Sequence, residues 1–200
     1  THGMLCVGYQ DMGSFFMSCA FDVLREVERR TGVDPTVTQV VKALHEGVTG
    51  QYETEWGLTD SFPICKGTGQ GCVNGAVRSK LLLNVMQGAV TRLCKGYRFK
   101  GARGIGQLYF ADDGAYLADT PGGLQLMYDT AWVMARVCGL KVIVKNKKKT
   151  AYMASYWEDG VQRDVEGWRV LLPNGQEVPQ IRCDGWQPRP AAYNSGTARR

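Results

Sequence analysis

The strongest constraint on this chain is a pair of adjacent acids set between two apolar runs. Residues 107–111 and 115–118 have the composition of strands, and Asp112-Asp113-Gly114 joins them. That pattern predicts a β-hairpin, because Asp and Gly suit the tight turns that match strand twist. A plain turn is the commonplace reading of Asp-Asp-Gly. The flanks argue against a surface turn, since Tyr109-Phe110-Ala111 and Ala115-Tyr116-Leu117 read as strand residues buried on both sides. Adjacent carboxylates repel, and a divalent cation is the commonest functional reason to keep them together. A stiff hairpin holds such ligands rigidly.

A further acid is expected at the end of another strand. Residues 5–10 are short and apolar-rich, read as a buried strand, and lead into Asp11. On its own Asp11 also reads as a helix N-cap. Paired with Asp112 it has the makings of a nucleotidyl-transfer site, with two Mg²⁺ ions roughly 3.5–4 Å apart. One ion would acidify a primer 3′-hydroxyl, and the other would hold a triphosphate. Carboxylates plus substrate phosphates are the hard oxygen ligands that Mg²⁺ prefers, with Mn²⁺ as the alternative.

The rest of the chain supplies alternating helices and strands. Helical spacing runs over 15–30, with Phe16, Ala20, Val23 and Val27 on one face and Glu26 paired with Arg30. Gly32 is a stop, and Asp34-Pro35 a cap and first turn for a helix to about 47 with Val37, Val40, Val41 and Leu44 inward. Two strands are expected at 51–56 and 60–66, then a Gly-rich loop at 66–72 and a helix at 76–94. After the acidic hairpin come a helix at 124–138 stopped by Gly139, and strands at 140–144 and 150–156 around a Lys-rich turn. This order predicts an α+β fold: an antiparallel sheet with helices packed on one face, a split βαβ arrangement of ferredoxin-like type.

At 200 residues the chain is one domain, or one with a small appendage. No stretch approaches the roughly 18–20 apolar residues that a membrane span needs, so no membrane partner is expected. The net charge of +5 suits a polyanion partner without requiring one. The seven cysteines are scattered singly, with no zinc-type spacing and no disulfide framework. Free thiols in a reducing compartment follow, hence an intracellular protein, nuclear or cytoplasmic. The start Thr1-His2-Gly3 lacks an initiator Met and reads as a piece of a longer chain. His2 and His45 carry no ligand pattern.

Four blocks, in order, resemble those of the reverse transcriptases of non-LTR (LINE-like) retrotransposons. They are Asp11-Met12-Gly13-Ser14-Phe15-Phe16, then Lys66-Gly67-Thr68-Gly69-Gln70-Gly71-Cys72, then Phe110-Ala111-Asp112-Asp113. The fourth runs from Gly139-Leu140-Lys141 through Asn146-Lys147-Lys148-Lys149-Thr150. The resemblance covers residues 5–155 and implies a polymerase palm over 1–156; the Pro, Gly and Trp of the last forty residues suggest short connecting strands over 157–186 and a disordered tail over 187–200.

The resemblance also implies roles. Asp11 and Asp112 would ligate metal, with Asp113 near them and the Met12 carbonyl as an additional ligand. Gln70 and Gly71 would touch the incoming nucleotide or its templating base. Lys149 would lie near the triphosphate and count with the acids as catalytic. Phe16 would lie against the nucleotide sugar and leave no room for a 2′-hydroxyl, favouring dNTPs, because a buried hydroxyl without a partner is penalised. The alternative for Phe16 is a core aromatic. Lys145 and Lys147 read equally as a solvated turn. Arg98, Lys100 and Arg103 are candidate contacts to a nucleic-acid backbone, on charge alone. The implied partners are an RNA template, a DNA primer and dNTPs.

Two departures bear on this reading. Residues 73–80 add about one helical turn after the Gln70 loop, which leaves the position of Asn84 open. The fingers and thumb of the family would lie outside this stretch. The rival readings are a catalytically inactive remnant that at most binds nucleic acid, and an RNA-dependent RNA polymerase.

Overall fold

The computed structural model describes residues 3–69, 72–99, 104–144 and 149–183. Gln70, Gly71, Lys100, Arg103, Lys145, Lys147, Lys148 and the expected tail lie outside the described residues. In chain order the elements are β1 (Met4–Gln10), α1 (Phe15–Ser18), α2 (Phe21–Arg30), α3 (Pro35–His45), β2 (Thr49–Gly50), β3 (Glu53–Thr54), β4 (Gly57–Leu58) and β5 (Phe62–Pro63). Then follow α4 (Val73–Leu93), β6 (Gln107–Phe110), β7 (Asp113–Ala118), α5 (Pro121–Val137), β8 (Ala151–Glu158), β9 (Val161–Asp164), β10 (Val170–Leu171) and β11 (Glu177–Val178).

Five strands form one antiparallel sheet in the order β6-β7-β1-β8-β9. The register sets Cys6 against both Ala118 and Ala154, and Gly8 against both Tyr116 and Tyr152. Because side chains alternate along a strand, these residues share one face. They join Leu124, Met127, Tyr128 and Ala131 of α5 in the main core. Gly8 is the point of closest approach: a Cβ there would lie 2.8 Å from the Tyr128 ring. A second core joins Met12, Phe15, Cys19 and Leu24 to Leu82 and Met86 of α4. The opposite sheet face, with Leu5, Tyr9, Ala115 and Leu117, is only half-buried. This is the expected α+β fold with helices packed on an antiparallel sheet.

The helix stops form as expected. After α2, Gly32 takes φ 79 and the Val33 N–H donates to the Glu28 carbonyl at 3.0 Å. After α5, Gly139 takes φ 74 and the Leu140 N–H reaches the Ala135 carbonyl at 2.8 Å. Both are Schellman closures, which need a left-handed residue. The Asp34 carboxylate caps α3 through the Thr36 N–H at 2.7 Å.

Several elements depart from expectation. The helix expected over 15–30 is two, because Cys19 and Ala20 are extended and Ala20 pairs with Lys66 in an isolated bridge. Of the four residues expected inward on α3, only Val41 is buried; Val37, Val40 and Leu44 are exposed, because α3 packs chiefly on α2. The two strands expected at 51–56 and 60–66 are instead four two-residue strands nested as β2–β5 around β3–β4. Residues 140–144 form no named strand and contribute only the bridge of Val142 to Met12. The helix expected from 76 starts at Val73, one turn earlier.

Candidate active site

The acidic hairpin forms, with its loop one residue earlier than expected. Phe110 pairs with Asp113 across β6 and β7, so Ala111 and Asp112 are the two loop residues and Asp113 already belongs to the strand. Ala111 has φ 53. Two-residue hairpin loops ordinarily place glycine at a positive-φ position, so this alanine stores local strain beside the acids.

The expectation that both flanks are buried on both sides fails. Tyr116 is fully buried, whereas Phe110 is 86% exposed. Alternation explains the split: Tyr109 pairs with Gly114 on the helix-covered face, so Phe110 must point to the open one.

The register brings the first acid to the hairpin. Gln10 pairs with Gly114, so the ladder carried one residue further sets Asp11 opposite Asp113. Asp11 is fixed by its main chain. Its N–H donates to the Thr150 hydroxyl at 3.2 Å, and its carbonyl accepts from the Ile143 N–H at 3.0 Å. The Gly13 N–H donates to the Lys141 carbonyl at 2.8 Å. This pair of bonds flanks Met12, whose side chain is buried.

Lys149 closes the group. Its ammonium donates to Asp11 Oδ1 at 3.0 Å, with the Asp11 side chain 13% exposed and that of Lys149 51% exposed. The bonded Asp11 carboxylate, and then the charges of Asp113 and Asp112, raise the Lys149 pKa above the ordinary lysine value. Of the three carboxylates, that of Asp11 is the one in contact with the ammonium. Among the described residues, no set of three or more His, Cys, Asp or Glu side chains is arranged to hold a metal ion. The donors nevertheless suit Mg²⁺ in kind. They are carboxylate and carbonyl oxygens, and one of them, Asp11 Oδ1, already faces a cation.

Phe16 lies on α1 beside this corner, half-buried and edge-on to Phe15 at 5.4 Å. Its carbonyl accepts from the Thr68 N–H at 2.8 Å, while the Gly67 N–H donates to the Cys19 carbonyl at 2.8 Å. The Gly-rich loop that leads to Gln70 is therefore tied to the aromatic block. A cavity of about 310 Å³ opens between them and the hairpin, lined by Phe16, Lys80, Gln87, Tyr109, Phe110 and Ala111 among others. Arg98 is exposed and stands apart from the acids. The Tyr97 N–H donates to the Leu117 carbonyl, at the far end of β7 and about 13 Å along the strand from Asp113.

Two buried groups were invisible in the sequence. Beneath the hairpin, the Tyr116 hydroxyl donates to Gln10 Oε1 and meets the Tyr109 hydroxyl at 2.6 Å. Burial pushes the Tyr109 phenol up to about 12 and that of Tyr116 well above the ordinary value. Farther off, Arg78 of α4 pairs with Glu28 of α2 at 2.5 Å, both buried. A glutamine at an inward position of an apolar strand was the one available signal for the first.

All seven cysteines lie among the described residues and are free thiols. No helix among the described residues is long and apolar enough to cross a membrane.

No family model matches the chain. Over 129 residues it is 32% identical to the Retrovirus-related Pol polyprotein from type-1 retrotransposable element R2 of Nasonia vitripennis, a stretch that covers 63% of this chain and 12% of that polyprotein. The chain is thus similar to a small part of a retrotransposable-element Pol polyprotein.

Proposed function

We propose that this chain is the palm of an RNA-directed DNA polymerase, which adds dNTPs to the 3′-hydroxyl of a DNA primer on an RNA template. One observation carries the reading. Asp11 follows the end of β1, whose last residue pairs with Gly114 of the acidic hairpin, and its carboxylate is bonded to the Lys149 ammonium.

Asp11, Asp112 and the Met12 carbonyl would hold Mg²⁺, with Asp113 beside them. Bound Mg²⁺ would supply Lewis-acid activation of the 3′-hydroxyl and charge neutralisation at the triphosphate. The chain's own residues do the rest. Thr150 and Ile143 hold the Asp11 backbone at the strand end. The buried tyrosines under the hairpin hold the strand of Asp113 against that of Asp11. Lys149 carries a positive charge that can meet the triphosphate and deliver a proton to the leaving pyrophosphate. The Phe16 ring would flank the sugar and exclude a 2′-hydroxyl. Gln70 and Gly71 would meet the nucleotide or its templating base. Arg98 would contact the nucleic-acid backbone at a distance from the chemistry, and Lys100 and Arg103 would be further contacts to that backbone.

Primer extension on an RNA template tests this. Mg²⁺-dependent dNTP incorporation that falls at least about a hundredfold in Asp112→Asn supports it. Unchanged nucleic-acid binding with no incorporation in either protein favours the inactive remnant. A preference for ribonucleotides by the unaltered chain favours an RNA polymerase and overturns the role given to Phe16.

A further inference from the structure

We propose that Lys149 is a built-in counter-ion of the carboxylate site, which must leave Asp11 before that oxygen can ligate a divalent cation, so that metal and triphosphate bind cooperatively. This inference rests on the polymerase reading of the same site.

The two halves of the ion pair differ in freedom. Asp11 is short, 13% exposed at its side chain and held through both its N–H and its carbonyl. Lys149 is 51% exposed at its side chain and carries its charge on a flexible four-carbon stem. The lysine, longer and more exposed, is the partner with more room to move. Its ammonium sits 3.0 Å from Asp11 Oδ1, and Asp112 and Asp113 are near enough for their charges to act on it. The lysine therefore stands where a cation is wanted.

An oxygen that ligates Mg²⁺ does so at about 2.0–2.1 Å. An ammonium bonded to that same oxygen would face the ion at short range and repel it. Metal binding to the nucleotide-free protein is thereby opposed. A triphosphate changes the balance, because it offers the ammonium several anionic oxygens in exchange for one carboxylate. Once Lys149 has moved to the phosphates, Asp11 is released to the metal. Each ligand then raises the affinity of the other by the same factor, as linkage requires.

The test measures Mn²⁺ binding to the full chain by electron paramagnetic resonance, with and without a non-hydrolysable α,β-imido dNTP. The proteins are the unaltered chain, Lys149→Met, Lys149→Gln and Asp11→Asn, each checked for folding by circular dichroism. Without nucleotide, both Lys149 variants are expected to bind Mn²⁺ roughly tenfold or more tighter than the unaltered chain. The gain in Mn²⁺ affinity on adding the nucleotide analogue shrinks in both. Equal or weaker Mn²⁺ binding in the Lys149 variants, or no binding in any of them, overturns the proposal. The Asp11→Asn variant separates the two levels of the argument. If it binds Mn²⁺ like the unaltered chain, the carboxylate-site reading itself fails. If it loses Mn²⁺ while the Lys149 variants are unchanged, only the counter-ion role falls.

Discussion

The Tyr116 hydroxyl donates to Gln10 Oε1 across the β1–β7 pair, directly behind the residues that carry the acids. Gln10 precedes Asp11, and Tyr116 lies three residues beyond Asp113 on the same ribbon. Both side chains are buried, and the Tyr109 hydroxyl joins them at 2.6 Å. Removing the Tyr116 hydroxyl leaves two buried polar groups short of a partner, a loss of about 1–3 kcal/mol. Tyr116→Phe is therefore expected to lower the urea midpoint, although the ring and its packing are kept. Adding Gln10→Leu removes one of the orphaned groups and is expected to recover part of the loss. A double variant less stable than Tyr116→Phe would show that the hydroxyl–amide contact is not what the single change removes.

Arg78 and Glu28 make a second buried polar pair, this time between helices. Among the described residues, Glu28 Oε2 and Arg78 Nη1 are buried with no partner of their own, so the pair rests on a single strong contact there. Arg78→Met strands a buried carboxylate and is expected to cost about 3–5 kcal/mol. The Glu28→Met/Arg78→Met double variant removes both charges and is expected to regain most of that. Equilibrium urea denaturation of the three proteins checks the order, which an exposed ion pair would not give.

The sequence made legible whatever was governed by neighbouring residues. Gly32 and Gly139 stop helices because the left-handed closure is local, and Asp34-Pro35 starts one for the same kind of reason. What it hid depends on residues far along the chain. The break at Cys19–Ala20 arises because Ala20 pairs with Lys66, and periodicity within 15–30 carries no trace of that bridge. The apolar stripe of α3 looked inward but rests chiefly on α2, which covers little of it. Phe110 looked buried because its neighbours are apolar, yet strand alternation turns it outward. The candidate site divides in the same way. Asp11 and the Asp112-Asp113 hairpin stand out as residue types in a pattern. The contact of Lys149 with Asp11 spans 138 positions, and its place beside the acids was expected only from family resemblance. Nothing in the sequence pointed to Thr150 as the acceptor for the Asp11 N–H.

Two glycines near the site separate packing from flexibility. A Cβ at Gly8 would lie 2.8 Å from the Tyr128 ring and 2.9 Å from Leu124 Cδ1. The ring cannot retreat, because the Tyr128 hydroxyl is held by the carbonyls of Tyr9 and Ala151. Gly8→Ala is expected to cost about 1–3 kcal/mol through overpacking. At Gly13 the nearest atom is Ile143 Cδ1, at 2.6 Å. It is the end of a half-buried side chain that can rotate away, so Gly13→Ala is expected to cost less than about 1 kcal/mol. Thermal melts of the two variants rank them, and a reversed order would mean that Ile143 is the more tightly held neighbour.

The buried thiols make stability fall in alkali. Burial, and then the charge of Asp119, pushes the Cys6 thiol up to about 12. Burial, followed by Cys138, raises Cys19 to about 11, and burial raises Cys138 to about 11. In the unfolded chain these thiols ionise near the ordinary value of about 8.5. The folded state thus keeps protons that the unfolded state releases. The linked stability is fully present below about pH 8.5 and is lost as pH rises through 11 to 12. The urea midpoint is expected to hold steady from pH 7 to 8 and to drop progressively above about pH 9. Cys6→Ala removes the group with the widest window and is expected to flatten that slope, at the cost of some packing at neutral pH. Thiol labelling gives an independent reading. Cys65 and Cys72 are exposed and react at once with a disulfide reagent, whereas Cys6, Cys19 and Cys138 react only as fast as the protein opens. Rapid labelling of all seven, or a midpoint unchanged up to pH 11, would contradict the burial from which both expectations are drawn.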